Sequence, residues 1–387
     1  MHDVDPYFGP LLRRLRRERG LSLRGLAQLA HRSKSHIHEL ETGRKPPSLH
    51  VAQHLDRVLD ADGALTGCLT PARSTRDETE AASLAHLIDT TDVGTDVLAT
   101  VELAVDDLAS AYATTPPGLL LDPIRQQLAQ VGRLLDARTT LDQRRRLLVA
   151  GGWLSLLRAT VHIDLRHRGA AAAHLSIAEQ MAQQTGHREI QAWCLETVAW
   201  DVLTAGDYRR ALNLSRQAQE VAPRGSSAYI QATAQEGRAW ARMGDQRETR
   251  RTLGRLSRLV APLPVPDRPE HHYQYDPAKA LSYTATTLAW AGDPAAEDYA
   301  RAAVAELDGT ARPRRTASAR LDLGLALVAA GKPDEASVTA QEAITSGRVV
   351  VSNWWRASEV VASVEATGIS EARDLRDAYE AYRPLPA

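Results

Sequence analysis

The residue types best suited to chemistry are concentrated near the start of the chain. Residues 31–48 read HRSKSHIHELETGRKPPS and combine basic side chains, hydroxyls and three histidines. Such side chains donate hydrogen bonds to phosphates and to base edges, so the stretch is a candidate nucleic-acid contact. His36 and His38 lie about 200° apart on a helix and therefore cannot share a metal ion. A solvated polar surface remains the alternative, and a metal site is disfavoured.

Charge is distributed unevenly along the chain. The 387 residues carry a formal net charge of −1, but residues 1–60 contain 11 Arg and Lys against 7 Asp and Glu. The remainder is therefore net acidic. A basic front on an acidic body is typical of a DNA-binding head joined to a body that does not bind DNA. A solvated, arginine-rich helix would give the same count.

Composition and motifs narrow the class of protein. Alanine, leucine and arginine are abundant and phenylalanine occurs once, which indicates an all-α fold. No stretch approaches the roughly 18 apolar residues of a membrane span, and the first residues lack an export signal. We therefore expect no association with membranes. Cys68 and Cys194 are the only cysteines, which favours a protein of the reducing cytoplasm. Because P-loop, G-x-S-x-G and H-E-x-x-H motifs are missing, we expect neither an enzyme nor a cofactor or metal.

The first 60 residues show the periodicity of four short helices. Phe8, Leu11, Leu12 and Leu15 follow the i, i+3, i+4, i+7 spacing of one helical face, and Gly20 ends that helix. Three serines stand where the next three helices would begin, and serine is a preferred N-cap residue; these are Ser22, Ser33 and Ser48. The tight turn between the second and third helices predicts a helix-turn-helix.

The stretch LRRERGLSLRGLAQLAHRSKSHIHELETGRKPPS resembles the helix-turn-helix domain of phage-repressor-type (Xre/Cro) regulators. The matching positions are Leu15, Gly20, Leu21, Ser22, Leu26, Ala27, Ala30, Ser33, Ile37, Leu40, Glu41, Gly43, Pro47 and Ser48. Leu23 departs from the family's frequent glutamine, and His31-Arg32 replaces a common Gly-Val. His31 would then adopt a conformation that glycine takes more easily.

The resemblance implies which residues contact DNA. In this family the third helix enters the major groove N-terminus first, and Ile37 and Leu40 mark its buried side. Lys34, Ser35 and His38 would then donate to base edges, and Glu39 would accept from a cytosine amino group. The complete predicted DNA-contacting set is Arg24, Arg32, Ser33, Lys34, Ser35, His38, Glu39, Thr42, Arg44 and Lys45. Its four arginine and lysine residues other than Lys34 would contact phosphates.

Glycine-containing turns recur through the rest of the chain. Gly169, Gly206, Gly244, Gly292 and Gly331 are separated by 37, 38, 48 and 39 residues, with apolar helical segments on both sides of each. This period predicts an α-solenoid of helix pairs. We therefore predict a helix-turn-helix domain over 1–70, a linker over 71–82 and a helical-repeat domain over 83–387.

The units around Gly206 and Gly331 resemble tetratricopeptide repeats. Small residues fall at the repeat's usual positions, including Ala199, Ala211, Gly324 and Ala336. The first helices of such repeats line the concave face, so the resemblance implies a groove containing Trp193, Glu196, Trp200, Gln231, Arg238, Lys279 and Ser282. The alternative is that the tryptophans belong to the core between helices.

A proline-rich insertion, APLPVPDRPEHHYQYDP, explains the one long interval between glycines. It spans residues 261–277 and contains His271, His272, Tyr273 and Tyr275. These four side chains either contact an effector or pack a rigid loop against neighbouring helices. A metal site is disfavoured because two adjacent histidines lack a third ligand at suitable spacing.

A helix-turn-helix followed by a tetratricopeptide solenoid resembles the peptide-pheromone-sensing regulators of Gram-positive bacteria. The resemblance implies a homodimer that binds double-stranded DNA and an effector. Those receptors grip the peptide backbone with asparagines, whereas this chain has only Asn213 and Asn353. We therefore predict a sequence-specific transcriptional regulator that senses a peptide, a small molecule or a protein partner. The alternative is a tetratricopeptide interaction scaffold tethered or dimerised by its helix-turn-helix.

Overall fold

A computed structural model describes residues 8–69, 84, 91–310, 312–350 and 353–383. Every regular element in these ranges is a helix, which confirms the predicted all-α fold. The chain divides into two compact units, Met1–Thr90 and Thr91–Ala387. The predicted linker over 71–82 lies outside the described residues. None of the described helices is both long and apolar enough to cross a membrane.

The first unit contains a bundle of short helices. They are α1 (Phe8–Glu18), α2 (Leu23–Leu29), α3 (Lys34–Glu41), α4 (Leu49–Leu59) and the single turn α5 (Ala64–Gly67). The three predicted serine caps are confirmed, because each hydroxyl accepts from a backbone amide three residues later. The N–O distances are 3.0 Å at Ser22, 3.1 Å at Ser33 and 3.3 Å at Ser48. Each cap satisfies an amide that the helix cannot pair itself.

An apolar core and one buried ion pair hold these helices together. Leu12, Leu26 and Ile37 have no exposed surface, so α1, α2 and α3 share one core. At the other end of α3, the Arg16 Nε donates to the Glu41 Oε1 over 2.5 Å. The pair fixes α3 against α1 at a point where both side chains are largely shielded from water.

The turn between α2 and α3 confirms a prediction made for His31. Its φ is 49°, in the left-handed region that glycine occupies without steric cost. The backbone must take this conformation because the chain reverses within a few residues between Ala30 and Ser33. A histidine therefore carries a local strain that a glycine at this position would avoid.

The second unit consists of fourteen helices within the described residues. They are α6 (Thr95–Ala111), α7 (Pro117–Asp136), α8 (Leu141–Asp164), α9 (Arg168–Thr185), α10 (Arg188–Thr204), α11 (Tyr208–Val221), α12 (Ser227–Arg242), α13 (Gln246–Val260), α14 (Ala278–Trp290), α15 (Ala296–Leu307), α16 (Pro313–Ala329), α17 (Pro333–Thr345), α18 (Trp354–Glu365) and α19 (Ala372–Tyr382). From α8 onward each consecutive pair forms an antiparallel hairpin, and the first helices of neighbouring hairpins also pack together. The predicted solenoid of helix pairs is thus confirmed.

Small residues allow the paired helices to approach closely. Ala199, Ala211 and Ala336 have no exposed surface. A Cβ added at Gly324 would lie 3.1 Å from Cγ1 of Val360, so α16 and α18 are already in contact there. Close packing of the helices therefore requires small residues at these positions.

The predicted turn glycines fit the structure with one exception. Gly206, Gly244, Gly292 and Gly331 have φ values from 66° to 91° between the helices of their pairs. Gly169 instead lies within α9, and the left-handed residue of that turn is Arg166, with a φ of 62°. The turn occurs where it was predicted, but a different residue forms it.

The proline-rich insertion between α13 and α14 packs against the beginning of the repeat unit. The His272 amide donates to the Ala109 carbonyl over 3.1 Å, and Arg268 pairs with Asp107 at 2.7 Å. The Tyr273 ring lies 4.8 Å from the Trp153 ring. The insertion thus connects α6 and α8 to helices more than 100 residues further along the chain.

Candidate DNA-contacting surface and effector cavity

The outer face of α3 carries the residues predicted to read bases. Lys34, Ser35 and His38 are exposed, Glu39 is partly exposed, and Ile37 is buried on the opposite side. The Ser33 side chain is occupied as the helix cap. The Thr42 hydroxyl donates to the His38 carbonyl over 2.8 Å, so part of its hydrogen-bonding capacity is used within the helix.

The predicted phosphate-contacting side chains surround α3 and point to solvent. Arg24, Arg32, Arg44 and Lys45 are exposed, and none forms an ion pair with any described residue. Burial lowers the pKa of His36, and the charges of Lys45 and Arg32 lower it further. Both cations therefore lie close enough to His36, on α3, to affect its charge. The result is a positive, solvated surface whose charges are available to phosphates.

The position of α3 is fixed from within by the carboxylate of Glu41. In addition to its contact with Arg16 Nε, Glu41 Oε2 accepts from Arg16 Nη2 at 3.1 Å and from Arg13 Nε at 3.4 Å. The Arg16 Nη1 also donates to the Leu21 carbonyl over 2.8 Å. This network connects α1, the start of the turn before α2, and the last turn of α3.

A cavity of about 250 Å³ lies among the first helices of the repeat unit. The predicted effector residues Trp193, Glu196, Trp200, Gln231, Arg238, His272 and Lys279 all line it, as does Ser282. These residues come from α10, α12 and α14, which are first helices of their hairpins, and from the insertion. The first helices pack side by side and therefore present their residues to one cavity. The repeat register thus brings residues more than 80 positions apart to one site.

Three of the residues predicted to contact an effector do not line this cavity. His271, Tyr273 and Tyr275 are only 5%, 4% and 5% exposed. Tyr273 packs edge-on against Trp193, and the Tyr275 amide donates to the Ser227 hydroxyl over 3.0 Å. For these three, the structure shows the loop-packing alternative, because the insertion folds its aromatic rings into the core.

Most charges around the cavity are paired. Arg314 Nη2 lies 3.3 Å from Asp164 Oδ2, and Arg356 Nη1 lies 3.1 Å from Asp322 Oδ2. Arg315 contacts Glu270 at 2.8 Å. The pairs tie α16 to α8, to α18 and to the insertion, so they also brace the cavity wall.

Three charged groups in the cavity lack an oppositely charged partner among the described residues. Arg238 is 2% exposed, and its guanidinium carbon lies 4.0 Å from the Tyr283 ring centroid. Burial lowers the pKa of Arg238 to about 10 and that of Lys279 to about 8. Glu196 accepts from Gln231 Nε2 over 3.0 Å, and burial raises its pKa to about 7.

Sequence reasoning missed several residues that line the cavity. Asp322 and Arg356 occupy the first helices α16 and α18, so extending the groove pattern to the last two hairpins would have indicated them. Tyr112 is different, because it follows α6, where no repeat pattern exists. Its hydroxyl donates to Asp164 Oδ2 over 2.6 Å, and burial raises its pKa well above the ordinary tyrosine value.

Comparison with known proteins supports the first unit most directly. Residues 8–67 match the family described as a helix-turn-helix domain. The chain thus has a helix-turn-helix domain at its N-terminal end. No curated protein sequence matches it.

Comparison with solved structures finds weak likenesses to two regulators. One is PlcR of Bacillus thuringiensis in complex with the peptide PapR7 and DNA, at 14% identity and a TM-score of 0.28, covering 66% of this chain and 94% of that one. The other is the apo form of the competence regulator ComR from Streptococcus vestibularis, at 12% identity and a TM-score of 0.33, covering 95% and 100%. At such TM-scores neither likeness carries a function over to this chain.

Proposed function

We propose that the chain is a sequence-specific DNA-binding transcriptional regulator whose helical-repeat unit dimerises and binds an effector. The observation that carries this proposal is the helix-turn-helix match over residues 8–67, on which α3 presents an exposed polar face. The cations around α3 have no carboxylate partner among the described residues. Solvated, unpaired cations beside an exposed helix are what phosphate binding and groove reading require.

The two kinds of DNA contact have different expected signatures. Lys34, Ser35 and His38 are the proposed base readers, because they occupy the exposed side and the start of α3. Arg24, Arg32, Arg44 and Lys45 are the proposed phosphate contacts, because they flank the helix ends. Base readers determine which sequence is bound, whereas phosphate contacts strengthen binding to every sequence.

The test begins with selection of the full chain on random duplex DNA, followed by sequencing of the retained molecules. A symmetric dimer is expected to enrich a palindrome with half-sites about 34–36 Å apart, or a multiple of that spacing. On the enriched site, Lys34→Ala or His38→Ala is expected to cost about 1–3 kcal/mol and to relax base preference. Arg44→Ala is expected to weaken all sequences alike and to reduce the salt slope by about one.

Arg247→Ala is the matched control, because Arg247 is an exposed arginine on α13 of the repeat unit. It is expected to leave both affinity and base preference unchanged. If folded protein enriches no sequence at low salt, and all four variants bind random DNA as the unsubstituted chain does, DNA reading by α3 is refuted. The interaction-scaffold alternative would then be favoured.

A further inference from the structure

The cavity in the repeat unit carries more positive charge than its own carboxylates compensate. After the three ion pairs formed by Arg314, Arg315 and Arg356, two cations remain, Arg238 and Lys279. Glu196 is the one lining carboxylate without an arginine or lysine partner within the described residues, and it is bound by an amide instead. Burying an uncompensated charge is costly, so a ligand that supplies the missing negative charge would be held strongly.

The buried polar atoms without partners are mainly hydrogen-bond donors. Among the described residues lining the cavity, Nε of Arg238, Nε of Arg356 and Nη2 of Arg315 have no acceptor. Oδ1 of Asp322 is the one buried acceptor among these lining residues that lacks a hydrogen-bond partner. The other carboxylate oxygen, Oδ2, already accepts from Arg356. A surplus of donors calls for a ligand that brings acceptors.

The remaining walls are flat and aromatic. Trp193, Trp200 and Tyr283 line the cavity together with the Tyr112 and His272 rings, which lie 4.4 Å apart. The Arg238 guanidinium lies over the Tyr283 ring and 5.5 Å from the Trp200 ring. A planar apolar body would therefore pack against rings while an anionic group at one end met Arg238.

The size of the cavity limits what can enter. Its volume of about 250 Å³ is slightly below the roughly 300–1,000 Å³ of most small-molecule sites. The cavity therefore suits one compact molecule better than a peptide of several residues.

We propose that the effector bound by this cavity is a small organic anion with a flat apolar body, such as an aromatic carboxylate. This inference rests on the proposed regulatory function and specifies the chemistry of its effector. Arg238 pairs with the anionic group, Lys279 adds a second positive charge, and the aromatic side chains contact the body of the ligand.

The experiment compares two probes that differ in charge but hardly in shape, sodium naphthoate and neutral naphthamide. Binding of each to the full chain is measured by isothermal titration calorimetry at neutral pH. Naphthoate is expected to bind at least about tenfold more tightly, because hydrogen bonds between charged groups are stronger than those of a neutral amide. Arg238→Gln is expected to weaken naphthoate binding by at least about tenfold and to leave naphthamide binding unchanged.

Arg247→Gln removes an exposed arginine by the same substitution and should bind both probes as the unsubstituted chain does. If Arg238→Gln fails to fold, Lys279→Gln provides the second variant and should also weaken naphthoate binding. The proposal is overturned if naphthoate does not bind, if naphthamide binds equally well, or if every folded variant retains naphthoate affinity. Because calorimetry requires no DNA, failure here is distinguishable from failure of the DNA selection.

Discussion

Arg16 in the first unit and Arg238 in the second are both buried, at 8% and 2% exposure, but their surroundings differ. The Arg16 guanidinium donates twice to Glu41 and once to the Leu21 carbonyl. The Arg238 guanidinium has no carboxylate within ion-pair distance in the described part of the chain. It makes one long contact of 3.4 Å with Gln235 Oε1 and otherwise lies against aromatic rings.

The difference separates a structural charge from a binding charge. A buried ion that is fully paired within the protein has no capacity left for a ligand, and its role is to fix the helices it connects. A buried ion with unused donors weakens the fold unless something else compensates it, and such groups are concentrated at functional sites. By this reasoning we expect Arg16 to fix the position of α3, whereas Arg238 is the proposed ligand-binding group.

The largest effect expected from this comparison follows loss of the partner of Arg16. Glu41→Gln keeps the shape of the side chain but leaves the Arg16 charge uncompensated, so we expect the first unit to lose about 3 kcal/mol of stability. All seven tryptophans lie at or after Trp153. Circular dichroism should therefore show an earlier transition in urea that tryptophan fluorescence does not report.

Glu18→Gln is the control for that substitution, because Glu18 is an exposed partner of Arg14 on the same unit, at 3.6 Å. It should change stability by less than about 0.5 kcal/mol. Equal effects of the two substitutions would show that the Arg16 pair contributes no more than a surface contact.

A smaller effect is expected from the uncompensated carboxyl group in the cavity. The pKa of Glu196 is raised by burial from 4.5 to about 7, so the folded state disfavours its ionised form. Stability linked to this group is present below pH 4.5 and is lost as the pH rises towards 7. Glu196→Gln abolishes that loss and is expected to stabilise the repeat unit by about 2–3 kcal/mol above neutral pH, with little change in acid.

Urea titrations followed by tryptophan fluorescence at acidic and alkaline pH measure this difference. Glu220→Gln, at an exposed position on α11, should leave the pH profile unchanged. A Glu196→Gln profile parallel to that of the unsubstituted chain would mean that the Glu196 charge is compensated, which would also weaken the distinction between the two arginines.

Features that depend on local sequence were predictable. The periodicity around Leu12 and the serine at Ser33 indicate a helical face and a helix start within a few residues of chain. The left-handed conformation of His31 followed from the family resemblance, which places a glycine at that position of the turn. The groove positions Glu196 and Arg238 were also accessible, because the tetratricopeptide resemblance implies that the first helices of the repeats line one face.

Features that depend on contacts between distant segments were not predictable. Sequence alone does not show that the insertion folds Tyr273 into the core while leaving His272 at the cavity. Nor does it reveal that Tyr112, after a helix without repeat character, contacts Asp164 there. That no described carboxylate lies within ion-pair distance of Arg238 is likewise a property of packing, since the chain as a whole is almost neutral.

The smallest expected effect on stability concerns backbone strain at His31. This strain lowers the stability of the first unit without involving a buried charge. His31→Gly removes the Cβ from a residue with a φ of 49° and should stabilise the first unit by about 0.5–1 kcal/mol. The side chain is exposed and is not a proposed DNA contact, so affinity for the selected DNA site should stay the same. Urea unfolding followed by circular dichroism measures the gain.

The control for His31→Gly places the same substitution in a helix. His50 is exposed in α4, and His50→Gly should destabilise the unit by up to about 1 kcal/mol because glycine disfavours helix. Opposite signs for the two substitutions would assign the gain to relief of strain at His31. A gain in stability at His31 accompanied by weaker DNA binding would instead show that the strain serves DNA binding. It would then resemble the uncompensated charge of Arg238, which lowers stability at a proposed binding site.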